Sequence, residues 1–95
     1  MNAATLTQNP VFIVLQEALA AAAREVRDGM DVAPAQLARL EGLAAALIAA
    51  GSDRDSLARA CGIAGGDAIA VIADGDLLRF DCRQRRAPVY PSTRA

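Results

Sequence analysis

The fold class of this chain depends on residues 67–83, whose sequence is DAIAVIADGDLLRFDCR. Its first half is rich in β-branched residues, Asp74-Gly75 is typical of a two-residue hairpin turn, and its second half alternates between apolar and charged residues. This pattern predicts a β-hairpin. A helix over residues 68–73, capped by Asp67, is the alternative. It would have barely two turns, and its β-branched side chains would lose rotamer freedom, so we favour the hairpin.

Upstream of this segment, a long helix is predicted to begin after Asn9, which is a suitable N-cap, with Pro10 in the first helical position. It should end at Asp28-Gly29. Apolar residues recur along it at spacings of three and four, at Phe12, Leu15, Leu19, Ala22 and Val26. Such a stripe is typical of a helix that packs lengthwise against another helix.

Two further helices are predicted before the hairpin. Asp31 should cap the first, with Pro34 in its first turn and Gly51 at its end. The apolar face of that helix consists of Leu37, Leu40, Leu43, Ala44, Leu47 and Ile48. The short link between the two long helices favours an antiparallel helical hairpin. Ser52 and Asp55 resemble a capping box for a short third helix over about residues 53–61, which should stop at Gly62.

The predicted fold class is therefore α+β, with an N-terminal antiparallel helical hairpin, a short third helix and a small C-terminal β-hairpin. A chain of 95 residues makes one domain, residues 1–95, with flexible ends at 1–9 and 91–95. Val89-Tyr90 can add a short edge strand between Pro88 and Pro91.

The chain is expected to form a homo-oligomer. Alanine occupies 23 positions, so the core is thin and a partner subunit would stabilise it. The stripe of the first helix has two interpretations. It forms the core of a single chain or an oligomer interface at Phe12, Leu15, Leu19 and Val26. The two interpretations are not exclusive, because the stripes of the two long helices can serve one role each.

Charge is distributed unevenly. Residues 79–95 contain five arginines and one aspartate, whereas residues 1–78 contain five arginines and ten acidic residues. Arginine binds phosphate bidentately, so the candidate nucleic-acid-binding residues are Arg79, Arg83, Arg85 and Arg86. The alternative is that these side chains are solvated or paired with acids such as Asp76 and Asp81.

Composition argues against an enzyme. The chain has no histidine, and no phosphate loop, nucleophile elbow or zinc spacing occurs, so no catalytic, cofactor or metal site is predicted. Cys61 and Cys82 lack CxxC spacing, which favours free, semi-buried thiols in the cytoplasm over the alternative of a disulfide. No apolar stretch is long enough to cross a membrane, and no targeting segment is visible.

Residues 45–75 resemble a helix-turn-helix, with a small residue at Ala58, a turn glycine at Gly62 and apolar residues at Ile63 and Val71. The exposed positions of its second helix would carry no base-reading side chain. Residues 57–80, with GIAGGD at 62–67 and Asp74-Gly75, also resemble the second half of the swapped-hairpin transition-state regulators. That family implies small dimeric DNA-binding proteins, often antitoxins. The basic first half of that family has no counterpart here.

These observations lead to two functional hypotheses. In the first, the chain is a small dimeric DNA-associated regulator that contacts phosphates through its C-terminal arginines. In the second, it is a protein-interaction module, an adaptor or antitoxin-like partner binder, that uses the leucine faces of its helical hairpin and has no nucleic-acid role.

Overall fold

A computed structural model describes residues 3–83, with side chains described from Thr5 onward. Four helices precede a two-stranded antiparallel sheet. They are α1 Ala3–Thr7, α2 Pro10–Arg27, α3 Pro34–Ala49 and α4 Arg54–Gly65, followed by β1 Ile69–Asp74 and β2 Leu77–Cys82. The predicted α+β class is confirmed, and residues 69–74 form a strand rather than the alternative helix. Among the described residues, no helix combines the length and apolarity needed to span a bilayer.

The bounds of α2 follow from local chemistry. The side chain of Asn9 accepts a hydrogen bond from the Val11 backbone N–H at 2.8 Å, and Pro10 occupies the first turn. This satisfies one of the backbone donors that a helix start leaves without a partner. The helix ends at Arg27, and Gly29 follows with a φ of +85°, a conformation that favours glycine. Both predicted ends of this helix are confirmed to within a residue or two.

The start of α3 corrects the prediction that Asp31 caps this helix. The N-cap is Ala33, and Pro34 takes the first helical position. The Gln36 side chain accepts the Ala33 N–H at 3.0 Å, so the cap is satisfied from inside the helix. Gly51, with a φ of +107°, ends this helix as predicted.

The start and end of α4 also differ from prediction. Its N-cap is Asp53, not Ser52: the Asp53 carboxylate accepts the Ser56 N–H at 3.0 Å and the Ser56 hydroxyl at 2.9 Å. Ser52 is buried instead. The helix also continues past Gly62 to Gly65. An interior glycine costs a helix only about 1 kcal/mol, which packing of the other face offsets.

The hairpin packs one face on the helices. Its register runs from Ile69 opposite Cys82 to Asp74 opposite Leu77. The two-residue loop is therefore Gly75-Asp76, one residue later than the turn predicted at Asp74-Gly75, and Gly75 has a φ of +62°, a conformation that favours glycine. Side chains of Ile69, Leu78 and Phe80 are buried with the helix side chains. The core as a whole comprises Leu6, Phe12, Leu15, Leu19, Ala22, Ala23, Val26, Val32, Leu40, Ala44, Leu47, Leu57, Cys61, Ala68, Ile69, Leu78 and Phe80.

The two chain ends were predicted to be flexible. The structure describes part of the first one as the short helix α1, whose Leu6 lies in the core, and no helix is predicted there from the sequence. Residues 91–95 and the predicted strand at Val89-Tyr90 lie outside the described residues.

Candidate interaction surface

Two of the four candidate nucleic-acid-binding arginines are described, and both are on or next to β2. The Arg79 side chain is 65% exposed, and its Nη1 lies 4.0 Å from the Asp74 carboxylate, which is equally exposed. Arg83 is exposed beyond the end of the strand. Arg85 and Arg86 lie outside the described residues. An exposed ion pair of this length contributes little energy, so the Arg79 guanidinium is not held by Asp74.

The surroundings of these arginines are acidic. Residues 67–83 contain Asp67, Asp74, Asp76 and Asp81 against the two arginines, and residues 3–83 contain eleven acidic residues against seven arginines. The described part of the hairpin therefore carries a negative net charge.

The proposed oligomer interface lies in the core of the single chain. Phe12, Leu15 and Leu19 are at most 2% exposed, and Val26 is 9% exposed. All four belong to the cluster that the helices and the hairpin bury together. The structure therefore supports the core interpretation of the stripe, because these four side chains are buried by other residues of the same chain.

The two edges of the hairpin differ. Along the outer edge of β2, the Phe80 backbone N–H donates to the Glu41 carboxylate of α3 at 3.1 Å. A side chain thus satisfies a backbone donor that a free strand edge would leave open. The edge of β2 is covered by α3.

The edge of β1 is uncovered over part of its length. The Arg83 N–H donates to the Ala68 carbonyl, so in this ladder the backbone groups of Ile69, Val71 and Ala73 point away from β2. Ile69 is only 1% exposed, whereas Val71 is half-buried and Ala73 is exposed. Within residues 3–83, no hydrogen bond joins the backbone groups of Val71 and Ala73 to another residue. We call these four N–H and C=O groups the β1 edge.

The solvent-facing side of the sheet beside this edge is partly apolar. Ile72 is 46% exposed and Leu77 is 51% exposed, on the same face as Arg79. The six residues of β1 contain no proline or lysine, and the only charge is Asp74 at the end. Natural edge strands usually carry a proline, a lysine or another charge within the strand, which prevents pairing with other strands. Apart from Asp74 at its end, β1 has none of these residues. Sequence reasoning missed this site, although the uncharged β-branched run was its signal.

The hairpin turn is fixed to the rest of the fold. Arg54, the first residue of α4, donates a hydrogen bond from Nη1 to the Gly75 carbonyl in the turn. Its Nη2 lies 3.3 Å from the Asp55 carboxylate. This contact joins the tip of the sheet to the start of a helix 21 residues earlier in the chain.

The two thiols are free, as predicted. Burial raises the pKa of Cys61 from its ordinary value of 9.0 to about 12, because the thiolate would lose its hydration. Cys82 is half-buried at a cleft that Asp31, Asp81 and Arg83 also line. Over residues 3–83, no three histidine, cysteine or acidic side chains are grouped as metal ligands.

Comparison with known proteins found no match: no family model, no curated protein and no solved structure is similar to this chain.

Proposed function

We propose that this chain is a non-catalytic protein-interaction module that binds its partner through the β1 edge. The observation that carries the proposal is the difference between the two hairpin edges, one covered by Glu41 and the other open at Val71 and Ala73. An extended strand added there would form main-chain hydrogen bonds with the open groups. Ile72 beside the edge would supply apolar contact.

This proposal revises the interaction hypothesis from the sequence. The leucine faces of the helical hairpin are occupied by the chain's own core, so the contact is assigned to the sheet instead. The absence of histidine from the composition and the raised pKa of Cys61 support a non-catalytic role. The two free thiols support a reducing compartment, which we propose is the cytoplasm.

Site-specific photo-crosslinking in cells of the source organism tests the proposal. A photoreactive residue replaces Ile72 beside the β1 edge, and a matched variant carries it at Ile63, which is 84% exposed on α4. We expect adducts from position 72 only. These adducts should disappear when Ala73→Pro is added, because proline removes the edge N–H. Absence of adducts at position 72, or equal adducts at both positions, would refute the proposal.

As a second candidate, we propose DNA association through Arg79, Arg83, Arg85 and Arg86. The observation that favours it is the exposure of Arg79 on β2 and of Arg83 just after the end of that strand, immediately before the two further arginines. The full chain should then bind mixed duplex DNA more tightly at low salt than at moderate salt. Replacing Arg79 and Arg83 with glutamine should weaken binding, whereas Arg59→Gln on α4 should not. Binding that is absent at low salt, or unaffected by salt, would exclude this candidate.

A further inference from the structure

We infer that the partner at the β1 edge is a second copy of this chain, with the two β1 strands paired antiparallel about a two-fold axis at Ile72. This inference rests on the proposed function and names the partner of the same surface. It would join two hairpins into one continuous four-stranded sheet. Such a contact is isologous, because each copy contributes the same strand.

Burial and existing contacts select the position of the axis. An axis at Val71 would pair Ile69 with the partner's Ala73, but Ile69 is 1% exposed and its backbone is covered. An axis at Ala73 would require the Gly75 carbonyl, which already accepts a hydrogen bond from Arg54. An axis at Ile72 uses only the open groups. It pairs Val71 with the partner's Ala73, and Ala73 with the partner's Val71.

This register satisfies every group of the β1 edge. Val71 and the partner's Ala73 exchange both N–H···O=C bonds, and the symmetry repeats the exchange at Ala73. Ile72 then faces the partner's Ile72 in a non-hydrogen-bonded pair, in which opposite Cα atoms lie about 4.5 Å apart and side chains approach closely. The two residues with open groups lie symmetrically on either side of Ile72, so a second β1 strand satisfies both of them in one register.

Side-chain size and charge also fit a second copy. On the inner face, Val71 would lie opposite the partner's Ala73, whose side chain is smaller. On the outer face, the two isoleucines would meet at the axis, with Arg79 of each copy on the far side of its own Ile72. Asp74 would lie opposite the partner's Ala70. No like charges would face each other across the new seam, a juxtaposition that destabilises strand pairs.

The same chain offers one other occupant, the segment 84–95. Its predicted strand is only Val89-Tyr90, because Pro88 and Pro91 lack the N–H group that a ladder requires. Its two prolines interrupt the run of N–H groups that a long ladder needs, whereas β1 contains no proline. The interface between two copies is nevertheless small, so we expect a dimer that forms at micromolar or higher concentrations.

Amide hydrogen exchange of the full chain across a concentration series, combined with sedimentation equilibrium, tests the inference. We expect the Val71 and Ala73 amides to become protected as the mass rises from 9.8 kDa toward twice that value. The Ile72 amide, which bonds within the hairpin, should be protected at every concentration. Ala73→Pro should still fold, because the Ala73 N–H is not part of the internal ladder. It should remain monomeric, because proline removes an N–H group that the dimer needs.

Two further variants keep the test decisive if Ala73→Pro fails to fold. Ile72→Lys would place two ammonium groups together at the axis and should abolish dimerisation without altering the backbone. Ile63→Ser removes the most exposed large apolar side chain, on α4, and should dimerise like the unmodified chain.

Three outcomes would overturn the inference. One is a monomer at all concentrations, and another is an Ile72→Lys variant that still dimerises. The third is protection of Val71 and Ala73 that does not depend on concentration, which would assign the β1 edge to residues 84–95. A monomer that still forms position-72 adducts with a different protein would overturn the second copy but retain the proposed interaction function. A monomer that also forms no adducts at position 72 would overturn both the second copy and the proposed interaction function.

Discussion

Replacing Glu41 with alanine should destabilise the fold and open the second edge of the sheet. The Glu41 carboxylate accepts the Phe80 N–H at 3.1 Å in a partly buried position. A hydrogen bond to a charged group contributes about 1.5–3 kcal/mol when desolvated, and partial exposure reduces this to about 1–2 kcal/mol. For a domain of this size, 1 kcal/mol shifts the Tm by about 4–8 °C. We therefore expect Glu41→Ala to lower the Tm by about 5–15 °C, measured by circular dichroism and by urea unfolding.

Glu41→Gln is the matched control, because its amide oxygen can still accept the Phe80 N–H. It should lose clearly less stability than Glu41→Ala. Glu41→Ala should also aggregate more readily at equal concentration, since it leaves both strand edges open. Unchanged stability of Glu41→Ala, or equal losses in the two variants, would refute the assignment of this hydrogen bond as the cover of the β2 edge.

Three further measurements test other parts of the structure. Leu19→Ala should cost about 2–5 kcal/mol in urea unfolding because Leu19 is fully buried, whereas Ile63→Ala, at an 84% exposed position, should stay within about 0.5 kcal/mol. Hydrogen bonds at the start of α4 lower the pKa of Asp53 below its ordinary value of 3.8, so its stabilising effect is present at neutral pH and is lost as pH falls through the lowered pKa. Asp53→Asn should retain the cap and lose this acid-dependent part, as urea unfolding across an acid pH series would show. Cys61, buried with a pKa of about 12, should react with a thiol reagent only at the rate of unfolding, after Cys82; rapid reaction of Cys61 in the native protein would contradict its placement.

Elements governed by neighbouring residues were predictable from the sequence. Asn9-Pro10 fixed the start of α2 because a side-chain acceptor and a proline act locally. Asp74-Gly75 indicated the presence of the turn for the same reason, but the loop residues are Gly75 and Asp76, one residue later than predicted. The cap of α4 was misplaced by one residue because serine and aspartate are both good N-caps. The burial of Ser52 and the hydrogen bonds of Asp53 to Ser56 distinguish the two, and neither can be read from the local sequence.

Features that depend on distant contacts could not be predicted. The stripe of α2 has the same spacing whether it packs in its own core or against another copy, and only the fold shows that Leu19 is covered. The open β1 edge depends on which ladder groups point outward. It depends equally on Glu41 reaching a strand 39 residues away. The uncharged β-branched run of β1 signals a strand without the usual edge protection, but it does not show which edge the helices leave uncovered.

The contact between Arg54 and the Gly75 carbonyl has a consequence for the cost of binding. Because this hydrogen bond holds the hairpin turn against α4, we expect the proposed docking strand, β1, to be ordered before a partner binds. An incoming flexible peptide would lose conformational entropy on its side alone, and two ordered copies would lose little on either side. Preorganisation of this kind lets a small contact area yield measurable affinity. Arg54→Ala should weaken association, because the hairpin turn would lose its hydrogen bond to α4 and β1 would be less ordered before binding.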